Sequence, residues 1–160
     1  MNYRDARKIA RKAEKSFGLP GDATLEFIQN KLETQRGRKI QIDELPGLAG
    51  TELCGIWLVC ADRDIVLHAP VKSVWHRQQI ILHEFSHMIL RHDLQRTHGD
   101  VAAALLPDID VDVVRALGRS SYTDDAEVTA EALADQLATR IINSETESTT
   151  EPSAFRRVFG

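Results

Sequence analysis

The chain has 160 residues, of which 42% are hydrophobic and 28% are charged, as is ordinary for one folded domain with a buried core. This composition argues against a disordered chain and against a protein that spans a membrane. The net charge is −4, and lysine and arginine are dispersed after the N-terminal segment, so we expect no direct binding to nucleic acid.

The first segment predicts a helix, and its composition is unlike that of an export signal. Apolar residues recur at helical spacing from Tyr3 to Phe17, and Gly18-Leu19-Pro20 ends the pattern. The same segment mixes charged and apolar residues and lacks the continuous apolar stretch of a secretory signal, so we expect a cytoplasmic protein. A second helix is expected from about Ala23 to Thr34.

The middle of the chain predicts a small antiparallel sheet. Residues Lys39–Ile42 alternate, Leu53–Val59 is rich in strand-forming residues, and Ala61–Asp64 indicates a turn into a strand over Ile65–His68. The last two strands are expected to form a hairpin. Later in the chain, Val111–Leu117 is expected to form a short helix.

A long helix is expected from about Val74 to Arg91, with Ser73 as its N-cap. Apolar residues surround it on nearly all sides, which indicates that most of its faces are buried. These residues are Ile80, Ile81, Leu82, Phe85, Met88, Ile89 and Leu90. Ionisable residues inside such a helix therefore need a specific explanation.

The last helix is expected from about Asp124 to Ile142. The Ser, Thr and Glu tract that begins at Asn143 has no apolar period and indicates a flexible linker before a short tail. We therefore expect a single domain over residues 1–142, with residues 143–160 as linker and tail. Its class is α+β, with a helical N-terminus, a small antiparallel sheet and two later helices that form the site.

Within the long helix, His83-Glu84-Phe85-Ser86-His87 matches the HExxH pattern. On a helix, a spacing of four residues puts both imidazoles on one face, one turn apart, where they can bind one ion. Neutral imidazole nitrogens bind zinc at about 2.0–2.1 Å. Glu84 adjoins the first histidine and can take a proton from a water molecule and pass it to the leaving amine. The motif therefore predicts zinc-dependent hydrolysis of an amide, with Glu84 as the general base.

A catalytic zinc needs a third protein ligand and one position open to water. One known extension of the motif would use Asp93, but it requires a glycine where this chain has Leu90. The last predicted helix offers two glutamates one turn apart, Glu127 and Glu131, next to alanines that allow close helix packing. Glu127 could instead belong to a capping box that begins at Asp124. Spacing alone leaves both glutamates as candidates.

Other ionisable and aromatic residues have simpler explanations. We expect His92 to cap the end of the motif helix, and His68, His76 and His98 to be surface or packing residues. Tyr122 could donate a hydrogen bond to a developing oxyanion, although packing is the simpler expectation.

The order of elements and motifs resembles the ImmA/IrrE family of gluzincin-like metallopeptidases over roughly residues 3–142. The shared pattern is HExxH followed by Glu127-x-x-Ala130-Glu131, and Arg119-Ser120-Ser121-Tyr122 resembles the actinobacterial branch. The resemblance implies a zincin-like fold, one zinc ion per chain, and Glu127 as the third ligand. The general family pattern points instead to Glu131, because a pattern counted from that residue is better matched by Asp135 followed by Ile141 and Ile142.

The same resemblance implies a regulatory metalloendopeptidase. Such proteins characteristically cleave a helix-turn-helix transcriptional repressor encoded nearby, in mobile-element control or stress responses. We therefore expect a protein substrate that itself binds DNA, and neither membrane nor nucleic acid as a direct partner. The alternative is a zinc-stabilised module that binds its regulator without cutting it, or a component of a toxin–antitoxin pair.

Overall fold

The computed structural model describes residues 1–106 and 111–150. It is an α+β fold whose described part has four α-helices and a mixed four-stranded sheet. The elements are α1 (Tyr3–Phe17), α2 (Leu25–Arg36), β1 (Lys39–Glu44), β2 (Gly55–Cys60), β3 (Arg63–His68), α3 (Val74–Ile89), β4 (Val113–Leu117) and α4 (Asp124–Thr150).

Side-chain caps explain where the first three helices begin. Helix α1 has the predicted bounds, and Asn2 accepts a hydrogen bond from the backbone N–H of Asp5. Helix α2 begins two residues later than predicted because Thr24 acts as its N-cap, and it ends at Arg36, with Gly37, whose φ is 68°, as its C-cap. Ser73 caps α3 as predicted, by accepting from the backbone N–H of His76.

The strand order is β1-β3-β2-β4, and the predicted hairpin of β2 and β3 is confirmed. The expectation of a purely antiparallel sheet is wrong, because β1 pairs with β3 in parallel. Strand β1 adds to the free side of the hairpin instead of pairing with β2, whose other side is occupied by β4. Residues 45–54 connect β1 to β2 past the end of β3, because Glu44 and Gly55 both lie opposite His68, and β2 then carries the chain back to the start of β3.

The predicted short helix over Val111–Leu117 is also wrong, because Val113–Leu117 forms β4, antiparallel to β2. Three valines in five residues, Val111, Val113 and Val114, favour a strand, and the free edge of β2 supplies the pairing partner.

The two faces of the sheet bury two apolar clusters because successive side chains in a strand alternate. Trp57 and Val66 face the larger cluster, which they share with Phe85 of α3 and Leu133 of α4. The smaller cluster, on the opposite face, contains Ile56, Leu58, Ile65 and Leu67, together with Leu48 and Val101.

A buried ionic group connects the sheet to α2. Asp64 is fully buried and accepts hydrogen bonds from the guanidinium of Arg36 and from the indole N–H of Trp57, the latter at 3.1 Å. The Arg36 guanidinium also lies over the Trp57 ring. A buried carboxylate is tolerated here because its oxygens are paired.

Helix α4 packs closely along α3. Ala126, Ala130 and Ala134 are buried, and their small side chains permit close approach, while Leu133 and Leu137 are fully buried beside them.

Helix α4 continues to Thr150, so the expectation that a flexible linker begins at Asn143 is wrong for residues 143–150. Ile141 is the last buried apolar residue up to position 145, where the description of burial ends, but a helix can extend past its packed part because its backbone hydrogen bonds are internal. The rest of the expected tail lies outside the described residues, and the domain boundary at 142 stays a prediction.

Within the ranges given above, no helix has both the length and the apolar character needed to cross a membrane.

Candidate metal centre

Two histidines of α3 face the same side of the helix, as their spacing predicts. The Nε2 atoms of His83 and His87 are 3.2 Å apart, and the ring centroids are 4.8 Å apart. His87 is completely buried, while a quarter of the His83 side chain remains exposed. The pair therefore points into a partly covered site that stays accessible from the His83 side.

Helix α4 brings Glu127 to these histidines. Its Oε1 lies 2.9 Å from Nε2 of His87, and its Oε2 lies 3.4 Å from Nε2 of His83. The three side chains together could hold a metal ion. The sequence allowed Asp124 to cap α4 in a capping box with Glu127. Thr123 is the capping residue instead, because its Oγ1 accepts a hydrogen bond from the backbone N–H of Ala126 at 3.1 Å. The carboxylate of Glu127 is then directed to the histidines.

The other candidates for the third ligand lie outside this group. Glu131 is exposed one turn further along α4. Asp93 follows α3, and one of its oxygens lies 3.7 Å from the guanidinium of Arg36. Neither residue belongs to the group that could hold a metal.

Glu84 lies on the sheet side of the same site. It is 4% exposed, and its Oε1 has no hydrogen-bond partner within residues 1–106 and 111–150. Burial raises its pKa to about 7, with His83 opposing and Glu127 reinforcing the effect. A Cβ atom added to Gly55, the first residue of β2, would lie 2.9 Å from Oε2 of Glu84. The absence of a side chain at Gly55 therefore makes the space that this carboxylate occupies.

The pKa values of the three possible ligands differ because their partners differ. Burial lowers the pKa of His87 to about 4, so its ring is neutral at neutral pH. Burial alone would raise the pKa of Glu127, but hydrogen bonds with His83 and His87 outweigh it and lower the value to about 2. For His83, burial is outweighed by Glu127 and the other nearby carboxylates, which raise its pKa. A neutral imidazole and an ionised carboxylate are the forms that bind metals.

Two aromatic rings contact His87 from outside the group. Tyr122 lies flat on it, with ring centroids 3.7 Å apart and planes within 7°, and its hydroxyl is buried without a hydrogen-bond partner among the described residues. Packing is thus its observed role, and burial raises the pKa of its phenol. Nδ1 of His92 lies 2.7 Å from Nδ1 of His87. His92 does not cap α3 as predicted, because the helix ends at Ile89, with Leu90 as its C-cap, and His92 begins a separate 3-10 turn.

Sequence reasoning missed the parts played by Gly55 and His92. His92 follows His87 by five residues, a spacing that places two residues on different sides of a continuous helix. Gly55 precedes the apolar run of β2, and a glycine at a strand end suggests close approach of other groups without naming them.

Comparisons with protein-family profiles, with curated proteins and with solved structures found no match for this chain. What can be said of its function therefore depends on the site and on its motifs.

Proposed function

We propose that the chain is a zinc-dependent metalloendopeptidase with a zincin-like fold, of the kind found in the ImmA/IrrE family. The observation that carries the proposal is the convergence of His83, His87 and Glu127, which offer one donor atom each within 4.8 Å of one another. Ligands at the corners of a tetrahedron around zinc lie about 3.3 Å apart when each is about 2.0–2.1 Å from the metal. The two Nε2 atoms are 3.2 Å apart, and the Glu127 carboxylate approaches them through different oxygens, Oε1 at 2.9 Å from His87 and Oε2 at 3.4 Å from His83. Each of these contacts is close to the tetrahedral value.

The donor set supports a catalytic zinc more than a structural one. Two histidines and one glutamate leave a fourth position open, whereas structural zinc sites are closed by four protein ligands. Oε1 of Glu84 supports the same choice, because it is buried with no hydrogen-bond partner in the described part of the chain, as is expected of an acceptor where a water molecule or substrate binds. A bound zinc ion would acidify a water molecule and polarise the scissile carbonyl.

Glu84 then serves as general base and general acid. With a pKa of about 7, its carboxylate can accept a proton from the attacking water at neutral pH. The same group can return that proton to the amine nitrogen as the peptide bond breaks. A carboxylate with an ordinary pKa would be a weaker base for the first step.

The proposed substrate is a helix-turn-helix transcriptional regulator encoded near this protein. Support comes from the motifs, in which HExxH is followed by Glu127-x-x-Ala130-Glu131 as in ImmA/IrrE proteins. On this proposal the protein acts in the cytoplasm and controls transcription by destroying a repressor.

Incubation of the purified protein with that regulator tests the proposal. We expect zinc to support cleavage at a defined peptide bond, identified by mass spectrometry of the fragments, and a chelator to stop it. Glu84→Gln should slow cleavage by at least about 100-fold while zinc binding is retained, because the general base alone is lost. Glu131→Gln is the matched control, since it removes an exposed carboxylate from the neighbouring turn, and it should cleave like the wild type.

Two outcomes contradict the proposal. Cleavage that persists at the wild-type rate in Glu84→Gln, or in the presence of chelator, would show that another group or a contaminant does the chemistry. Tight zinc-dependent binding of the regulator with no cleavage would instead indicate a non-catalytic binding module.

A further inference from the structure

His92 contacts the buried histidine of the metal centre on the side away from the site. The two Nδ1 atoms are 2.7 Å apart, which is hydrogen-bond distance, and His92 is only 4% exposed. A ring nitrogen facing another ring nitrogen at this distance must share one proton with it, since two lone pairs would repel each other. The tautomers of His87 and His92 are therefore linked.

The backbone is bent at some cost to make this contact. Arg91 has a φ of 56°, and it is the one residue other than glycine with positive φ in the described part of the chain. This left-handed conformation costs a residue with a side chain about 1 kcal/mol or more. In a continued helix, a residue five positions after His87 would point about 140° away from it. The left-handed turn at Arg91 instead returns His92 to the ring of His87.

Stacking and hydrogen bonding restrain the ring of His87 in different ways. Tyr122 lies parallel to it and fixes the plane of the ring. Stacking does not determine which nitrogen faces Glu127, because a ring turned over within the same plane would stack equally well. The hydrogen bond with His92 removes that ambiguity, and Nε2 of His87 faces Glu127.

We propose that His92 is a positioning residue that holds the ring of His87 and exchanges tautomer with it when a metal binds. Without metal, His87 donates from Nε2 to Glu127 and accepts at Nδ1 from Nδ1–H of His92. With a metal held by these residues, Nε2 of His87 would have released its proton to water, and the proton shared by the two Nδ1 atoms would lie on His87. Nε2 of His92 would carry a proton taken from water, so both rings would stay neutral and no net charge would be created.

This inference rests on the proposed metal site, and it makes His92 matter for affinity. A hydrogen-bond partner on the second ring nitrogen of a ligand histidine typically raises metal affinity by about 10- to 100-fold. The partner must be able to donate in one state and to accept in the other. An imidazole can do both, and so can an amide that turns over.

Zinc affinity, measured by competition with a chromophoric chelator, tests the proposal. We expect His92→Leu to weaken zinc binding by about 10- to 100-fold. His92→Asn should remain within a few-fold of the wild type, because its amide can present either the oxygen or the NH2 group to His87. His98→Leu is the matched control, because it removes an exposed imidazole beyond the site and should leave the affinity unchanged. Equal loss in the Leu and Asn variants, or no loss in Leu, would overturn the proposal.

Nitrogen-15 spectra of the ring atoms provide a readout that does not depend on activity. We expect a coupling between the two Nδ1 atoms across the hydrogen bond, and a change of His92 from the Nδ1–H to the Nε2–H tautomer when zinc is added. If the wild type bound no zinc, the proposed function would fail, and the coupling in the metal-free protein would still decide whether the pair exists. Absence of that coupling overturns the proposal.

Discussion

Substitution of Gly55 by alanine should displace Glu84, the proposed general base, with little effect on the rest of the fold. A Cβ at this position would lie 2.9 Å from Oε2 of Glu84 and 3.0 Å from Cγ2 of Ile80. Ordinary contacts of a Cβ begin near 3.4 Å, so the carboxylate must move by about half an ångström. It is the end of a flexible side chain, so it can move more easily than the backbone of β2.

The expected loss in activity follows from that displacement. A misplacement of about 1 Å at a reacting group can cost about 100-fold in rate, so half of that should cost on the order of tenfold in kcat/KM. The cost in stability should be about 1 kcal/mol, at the lower end for an extra methyl group in a packed region, because one of the two displaced groups is mobile. Gly55→Ala should therefore reduce activity without a comparable loss of folded protein.

Gly118→Ala is the matched control. Its Cβ would lie 2.8 Å from Cγ2 of Val101 and 3.1 Å from Leu53, so it crowds a packed region without touching Glu84. We expect it to lower the free energy of unfolding by about 1–3 kcal/mol and to leave kcat/KM per folded molecule unchanged. Cleavage rates on a purified regulator and urea denaturation of both variants provide the comparison. Full activity in Gly55→Ala, or an equal loss in Gly118→Ala, would refute the role assigned to this glycine.

Three further predictions concern carboxylates with contrasting surroundings. Glu127→Gln should weaken zinc binding by more than about 100-fold in a chelator competition, because it removes the proposed third ligand. The zinc affinity of Glu131→Gln should stay within about twofold of the wild type. Equal effects of the two substitutions would contradict the choice of Glu127. In the metal-free protein, the folded-state pKa of Glu84 of about 7 exceeds the ordinary value of 4.5, so stability from this group is present below pH 4.5 and is lost as pH rises through 7. The difference in unfolding free energy between Glu84→Gln and the wild type, measured by urea denaturation, should therefore shift by about 3 kcal/mol in favour of the variant as pH rises from 4.5 to 8. A difference that does not change with pH would refute the raised pKa. Asp64→Ala should lower the free energy of unfolding by about 3–5 kcal/mol, because it leaves a partly buried guanidinium and an indole N–H unpaired. Asp62→Ala breaks only an exposed ion pair and should lower it by less than about 1 kcal/mol. Similar melting temperatures for the two variants would contradict this prediction.

Helices were predictable from the sequence wherever the signals were local. The bounds of α1 follow from its apolar period and from Gly18, which takes the left-handed conformation after the helix. The start of α3 follows from Ser73, whose side chain caps it. The end of α4 was misplaced because the apolar period stops near Ile141 while the helical backbone continues. Apolar periodicity reports where a helix is packed, and a helix can be longer than its packed part.

Sheet topology was less predictable because it depends on contacts between distant segments. The hairpin of β2 and β3 has a local signal in its short turn. No local pattern distinguishes β1 pairing with β3 from β1 pairing with β2, since both arrangements bury Ile40 and Ile42 on one face. Strand β4 is short and largely apolar, a pattern that does not distinguish a strand from a short helix, and the free edge of β2 supplies its pairing partner.

The residues of the site likewise divide into those that a local pattern predicts and those that depend on contacts between distant segments. The pair of histidines on α3 was predictable because four residues make about one helical turn. The choice between Glu127 and Glu131 was not, because the same spacing puts both on one face of α4, and only the register of the two helices decides which one is level with the histidines. Packing of buried residues such as Phe85 of α3 and Leu133 of α4 sets that register, and the hydrogen bond from Gln79 of α3 to Asp135 of α4, at 3.0 Å, agrees with it. A slip of one turn between α3 and α4 would bring Glu131 to the histidines instead, so which glutamate joins them is a property of tertiary packing and not of the motif.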